Sequence, residues 1–368
     1  MSPWKRAVSA LLIIAASAAA ADRSLLDLVM PEARMVSGIN IERALASPIG
    51  QFFVSQMQSS DPGLQKFIGE TGFDPRRDLK EILIASPAVV KNSQMLILVR
   101  GQFDPLRILA VAKKQGAVVR QFKGVPVMTG NAKDSKWLMQ MSKQSTEPWF
   151  ALLDGSTAAF GDAISVQGAI GRRGAATRLD PRIAARAQEL SSRYDCWGYS
   201  MVPPSAFSGQ MPDERLTGAM KGDVLRAITE SSGGVRLGAD IEIFGEAVTR
   251  SPKDAQALAD VIRFFAGLLQ LNQKDAKITG PAQLLQSLNL AADGNVMRLS
   301  MTIPHADVEK FIRDAQASAR QARTQAPGAR PAAAPGTPSP SALPAPPARS
   351  GGIVIHSSEG SYEIAPPK

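Results

Sequence analysis

Between residues 235 and 249 the chain alternates, with one face apolar and the other largely wet but for Phe244 and Val248. Val235, Leu237, Ala239, Ile241, Ile243 and Ala247 fall on odd positions, while Arg236, Asp240, Glu242 and Glu246 fall on even ones. A period of two is the mark of a β-strand with one buried and one wet face, as in an antiparallel sheet. Residues 296–303 repeat it, with Met297, Leu299, Met301 and Ile303 inward and Arg298, Ser300 and Thr302 outward. Further strands are predicted over 34–41, 81–86, 94–100, 148–154, 157–161, 196–202 and 224–230.

Helical periodicity is clearest from Pro252 to about Leu271. Leu258, Val261, Ile262, Phe265, Leu268 and Leu269 recur at three- and four-residue steps, Ser251 is a plausible N-cap, and Pro252 suits the first turn. Other helices are predicted over 41–58, 62–69, 105–115, 163–172, 181–192, 281–288 and 305–319. The fold class is therefore α+β: antiparallel sheets with helices packed on one face. The order of a strand, a helical segment, sheet strands, a long helix and a strand recurs, which suggests two duplicated halves, 22–177 and 178–319.

Both ends differ from this body. Lys5 and Arg6 precede an apolar run from Ala7 to about Ala19, and small residues close it at Ala18 to Ala21. This is the pattern of a secretory signal peptide over 1–21, cleaved near Ala20–Ala21 or Ala21–Asp22. The run is shorter than the roughly 20 apolar residues of a spanning helix. The chain is thus expected to be exported, periplasmic or extracellular, with no transmembrane span after cleavage. At the other end, residues 327–347 contain eight prolines among Ala, Gly, Ser and Thr. Such a segment cannot bury enough apolar area to offset its ordering entropy, so 320–352 reads as a disordered Pro/Ala-rich linker. Residues 353–368 read as a short β-prone tail, a small hairpin around Ser357 to Gly360.

Charge and cysteine content exclude several classes of function. The full chain is formally +9, but Lys5, Arg6 and the basic tail account for much of that, and residues 22–315 carry about +4. That is ordinary for a globular domain, so no nucleic-acid partner is expected. One cysteine, Cys196, excludes an internal disulfide and a thiolate zinc site, and two histidines argue against a His-rich metal centre.

Catalytic motifs are wanting. Asp74-Pro75, Asp104-Pro105 and Asp180-Pro181 each precede a helical segment and read as N-caps with proline in the first turn. Gly168, Gly171 and Gly174 lack the spacing of a dinucleotide loop and follow a helix; a helix C-terminus with Arg172 and Arg173 explains them. Asp240, Glu242 and Glu246 share a strand face, and paired carboxylates are what glycosidase chemistry uses. Cross-strand pairing with residues such as Arg298 is the cheaper explanation of them. His305 precedes Asp307 without a nucleophile elbow and reads as a helix start. Cys196, beside Trp197 and Tyr199, reads as a small buried hydrophobe.

The opening of the body, Leu25-Leu26-Asp27-Leu28-Val29-Met30-Pro31-Glu32-Ala33, then the strand at 35–41 and Ser47-Pro48-Ile49-Gly50, resembles the start of a family of uncharacterised secreted bacterial proteins. A later G-x-F-D-P at Gly101 to Pro105 belongs to the same pattern. The resemblance spans 25 to about 315. Its motifs are structural, and it implies no catalytic residue and no cofactor.

The functional expectation is a non-enzymatic exported binding or interaction module. It has no catalytic, cofactor or metal residues, and its C-terminal tail is a means of reaching a cell-envelope protein or surface. Two alternatives stand beside it: a hydrolase using Asp240 and Glu242, with Glu246 and His305 as further candidates, and a carrier of an apolar ligand.

Overall fold

The computed structural model describes residues 23–57, 62–87, 94–129, 148–176, 178–204, 223–271 and 285–310, with 312–314, 317, 353–357 and 360–364. The expected leader at 1–21 and the Pro/Ala-rich stretch at 320–352 lie outside them. The chain divides into two units, Met1–Ala317 and Ser318–Lys368.

The first unit begins with α1 (Arg23–Leu26), β1 (Met35–Asn40), α2 (Ile41–Ala46), α3 (Pro48–Met57), α4 (Pro62–Thr71) and α5 (Pro75–Asp78). Next come β2 (Leu79–Ser86), β3 (Leu96–Gly101), α6 (Pro105–Lys114), β4 (Val118–Phe122), β5 (Val125–Thr129), β6 (Trp149–Leu152) and β7 (Thr157–Gly161). Then follow α7 (Ala163–Gly171), α8 (Pro181–Arg193), β8 (Cys196–Ser200), α9 (Asp223–Ala227), β9 (Ile228–Leu237) and β10 (Asp240–Thr249). The last elements are α10 (Pro252–Leu271), a 3-10 turn (Leu285–Ser287), β11 (Asn289–Asp293), β12 (Val296–Pro304) and helical residues from His305.

The described strands of this unit join one 12-stranded sheet in the order β11-β12-β10-β9-β8-β1-β2-β3-β7-β6-β5-β4, with every pairing antiparallel. The order unfolds outward from the central β1–β8 pair. On one side β2 and β3 follow β1, a helix intervenes, and the returning β7 pairs with β3. On the other, β9 and β10 follow β8, a helix intervenes, and the returning β12 pairs with β10. The two runs share a start of three strands and a helix and then differ, with β4, β5 and β6 preceding β7 on one side and β11 alone preceding β12 on the other.

The α+β class holds, and the helices are shared between both faces. The reason is visible in β3, where Leu96 and Leu98 point one way and Ile97 and Val99 the other, so neither face is left polar. Leu96 and Leu98 join Val36, Leu83, Ala85 and Trp197 in the main core under α7 (Val166, Ala169, Ile170) and α8 (Ile183, Ala187, Leu190). On the opposite face Val99, Met128, Leu152 and Ala158 pack under α6 through Ala112, Ile108 and Leu109. Further along that face, Ala247 and Met297 pack under α10 through Ala255, Leu258 and Ala259, and Ile241 and Ile303 lie under α3 through Ile49 and Phe52.

Four expected elements differ, the first being the helix expected over 281–288, of which the described residues hold the 3-10 turn Leu285–Ser287. Residues 235–249 form the end of β9 and all of β10, joined by a tight turn with Leu237 paired to Ile241. An odd number of residues separates those partners, so odd positions stay on one face through the turn and the alternation looks continuous. Residues 41–58 form two helices, because Pro48 cannot continue the first. Ser47 sits at the break, where its hydroxyl donates to Ala44 O and accepts from Gly50 N. Residues 223–227 are helical, and β9 starts only at Ile228.

The three Asp-Pro sites are N-caps. Asp74 accepts from Arg76 N, Asp104 from Arg107 N and Asp180 from Arg182 N, each with proline in the first turn. Among the glycines required by close approach, two face aromatic side chains. A Cβ at Gly38 would lie 2.7 Å from the Trp197 ring, and one at Gly234 would lie 2.3 Å from Tyr194 Cγ. In the second unit, β13 (Ile353–Ser357) pairs antiparallel with β14 (Gly360–Ile364).

Candidate functional site

The central strands carry two depressions, one on each face. The first is a cavity of about 270 Å³ floored by β2, β1, β8 and β9. These four strands lie between those that α6 covers and those that α10 covers, and every residue that lines the cavity belongs to a strand. Its floor is made of short side chains: Ser37, Ser86, Gly198, Ser200, Ser231 and Gly233, with Met35 and Ile84 as larger apolar members. Among the described residues, the hydroxyls of Ser37, Ser86 and Ser231 make no side-chain hydrogen bond, whereas Ser200 donates to Val202 O at 3.1 Å.

The strand β9 explains the floor. It runs unbroken through Ser231-Ser232-Gly233-Gly234, although glycine is a residue that strands ordinarily avoid. Gly234 is needed beneath Tyr194. At Gly198 no such demand exists: a Cβ there would meet only Ser37 Cβ, at the ordinary distance of 3.6 Å. Glycine inside a strand often marks a place where another group approaches closely.

The second depression, about 250 Å³, lies on the α8 side of the sheet and is lined by Arg182, Arg186, Tyr199, Glu230, Ser232 and Glu246. Arg186 NH2 donates to Glu246 Oε1 at 2.7 Å and to Ser232 Oγ at 2.9 Å. Arg298 Nε donates to Glu246 Oε2 at 3.0 Å. Tyr199 donates its hydroxyl to Glu230 Oε2 at 2.6 Å, and Arg182 stands 3.8 Å from the other oxygen. Burial, reinforced by the Glu230 bond, pushes the Tyr199 hydroxyl well above its usual range. Every charge here has an opposite partner, so the cluster ties α8 to β8, β9, β10 and β12.

The four sequence candidates do not converge. Glu246 is held by Arg186 and Arg298. Glu242 is ion-paired with Arg236, its partner across the β9–β10 ladder. Along a strand, Glu242 and Glu246 are roughly 14 Å apart, beyond the about 5–9.5 Å of a glycosidase pair, whereas Asp240 and Glu242 are roughly 7 Å apart and what stands against that pair is the Arg236 ion pair of Glu242. Asp240 is exposed at the start of β10. His305 begins the last helical stretch with Nδ1 2.7 Å from Ala239 O. The Cys196 thiol is pushed up by burial and by Asp195, the reverse of an activated nucleophile. Among the described residues there is no group of three or more His, Cys, Asp and Glu that could hold a metal.

Sequence reading missed both depressions. It ended one strand at 230 and began the next at 235, which left Ser231 to Gly234 between elements. Two serines and two glycines flanked by apolar residues were the available signal.

No family model matches the chain, and no curated protein matches it. This is consistent with its resemblance to an uncharacterised family. Among solved structures, crystal form I of TP0453 is similar with a TM-score of 0.41 and 9% identity, over 80% of this chain and 97% of that one. Crystal form IV of TP0453 gives 0.44 and 9%, over 78% and 95%. Crystal form III gives 0.42 and 10%, over 78% and 96%. At that distance the likeness says nothing about ligand or activity. Among the described residues, no helix is long and apolar enough to cross a membrane.

Proposed function

We propose that this chain is an exported, non-enzymatic binding protein that holds a slender, largely apolar ligand in the cleft over β2, β1, β8 and β9. The observation that carries the reading is the cleft floor: serines and glycines on central strands, where packing elsewhere in the sheet uses Leu, Ile and Val. A lining that combines apolar side chains, here Met35, Val36 and Ile84, with a few hydroxyls that can accept or donate is the usual make-up of a small-molecule site, and the volume lies just below the usual range for one. The leader-like residues 1–21 support export, and the tail at 353–368 supports a second contact with an envelope protein or surface. The ion pairs of Glu242 and Glu246 favour this reading over the hydrolase.

The test is a titration with a solvatochromic naphthalene probe. The unmodified chain should bind it with a blue-shifted emission. Gly198→Val should fold normally, because a Cβ fits there, and should lose most of the signal. Equal emission from both proteins would refute the cleft as the site.

A further inference from the structure

We propose that the free edge of β4 is a docking site for an acidic, extended segment of another protein, which adds a strand to the sheet there. The surface is separate from the cleft. Among the described residues β4 ends the sheet, while the cleft lies on its central strands.

The backbone of β4 is set for pairing. It is joined to β5 by the two residues Lys123 and Gly124, with φ of 47° and 76°, both in the left-handed region. That is a type I′ hairpin, in which the flanking residues Phe122 and Val125 exchange both main-chain hydrogen bonds. Bonded pairs then recur at Arg120↔Val127 and Val118↔Thr129. Val119 and Gln121 therefore turn their N–H and C=O groups away from β5, toward the outside. Pro126, opposite Gln121, fits this register, since its position does not donate to β4.

Charge selects the partner. From Pro105 to Thr129 the chain carries Arg107, Lys113, Lys114, Arg120 and Lys123 and no acidic residue. Lys113, Lys114, Arg120 and Lys123 are exposed, and Val118 beside them is 49% exposed. The opposite edge, β11, has Asp293 facing Arg298 and shows no single sign. Basic side chains on an edge repel a second copy of the same edge. They attract an acidic strand, for which main-chain bonds supply affinity and the charges supply selectivity.

The experiment uses the full chain and a fluorescein-labelled peptide of eight residues that alternates valine with glutamate, read by anisotropy. Its counterpart with lysine for glutamate is the control. The acidic peptide should bind at least tenfold more tightly than the basic one and weaken in high salt. Gln121→Pro removes an outward N–H and leaves the β5 ladder intact, so it should cut affinity at least tenfold. Should that variant misfold by circular dichroism, N-methylating the peptide's inward-facing amides in the wild-type assay must give the same loss. Lys113→Gln, Lys114→Gln and Arg120→Gln together should reduce the salt dependence. Equal binding of both peptides, binding indifferent to the proline and the N-methyl groups, or self-association without peptide binding would each overturn the proposal.

Discussion

Tyr199 donates its hydroxyl to Glu230 Oε2 at 2.6 Å, joining neighbouring strands β8 and β9 beneath the N-terminal turn of α8. The ring is buried and the carboxylate only partly so, which makes the bond worth more than a surface contact and less than a fully dry one. Tyr199→Phe should lower unfolding free energy by about 1–2 kcal/mol, measured by urea denaturation. An unchanged midpoint would show that water replaces the hydroxyl without loss.

Gly234 has a steric origin that predicts a sharper effect. A methyl group there would press on the base of the Tyr194 side chain rather than on a movable tip, and Tyr194 is itself stacked on Phe244 with ring centres 5.7 Å apart. Gly234→Ala should therefore destabilise the protein by about 1–3 kcal/mol through overpacking. A gain in melting temperature, as expected from a less flexible unfolded chain alone, would contradict the stated contact.

The helix α10 tests how far burial follows periodicity. Leu98, on β3, is fully buried, and Leu98→Ala should cost about 2–5 kcal/mol. Leu268 lies on the apolar stripe of α10 yet is 43% exposed, so Leu268→Ala should stay within about 0.5 kcal/mol. A large cost at Leu268 would mean that something covers the C-terminal half of that helix.

The same helix shows what sequence alone can carry. Its stripe was legible because spacing reports which residues share a face. On that stripe Leu258 is buried, whereas Leu268 is exposed, and spacing cannot report where the sheet beneath stops. The strands β10 and β12 were legible by alternation and the Asp-Pro caps by their local chemistry. The turn after Leu237 was hidden by parity. The covered second face was hidden because Phe244 and Glu246 look solvent-bound until α8 is seen above them. Neither depression was legible: the polar one needs Arg186, Ser232 and Glu246 from three elements, and the apolar one is marked by small residues that resemble a loop.

Acid should probe the α5 corner. The Arg77 guanidinium beside Asp78, together with its bond from Asp74 N, holds the Asp78 carboxyl below its usual range despite burial. A carboxylate depressed in the folded state stabilises fully above its unfolded value, about 3.9, and that contribution is lost as pH falls through the folded value. Asp78→Asn should therefore lose stability at pH 7 and show a shallower decline below pH 4 than the unmodified protein. Parallel declines in both proteins would place the acid-sensitive groups elsewhere.

The location of the ligand is the central claim, and amide chemical-shift mapping tests it most directly. Titrating the labelled protein with a medium-chain alcohol should move the amides of Ser37, Ser86, Gly198, Ser231 and Gly233 together, with Gly198→Val abolishing the response. Shifts confined to the exposed Phe264–Leu268 end of α10, with those five amides unmoved, would contradict the account.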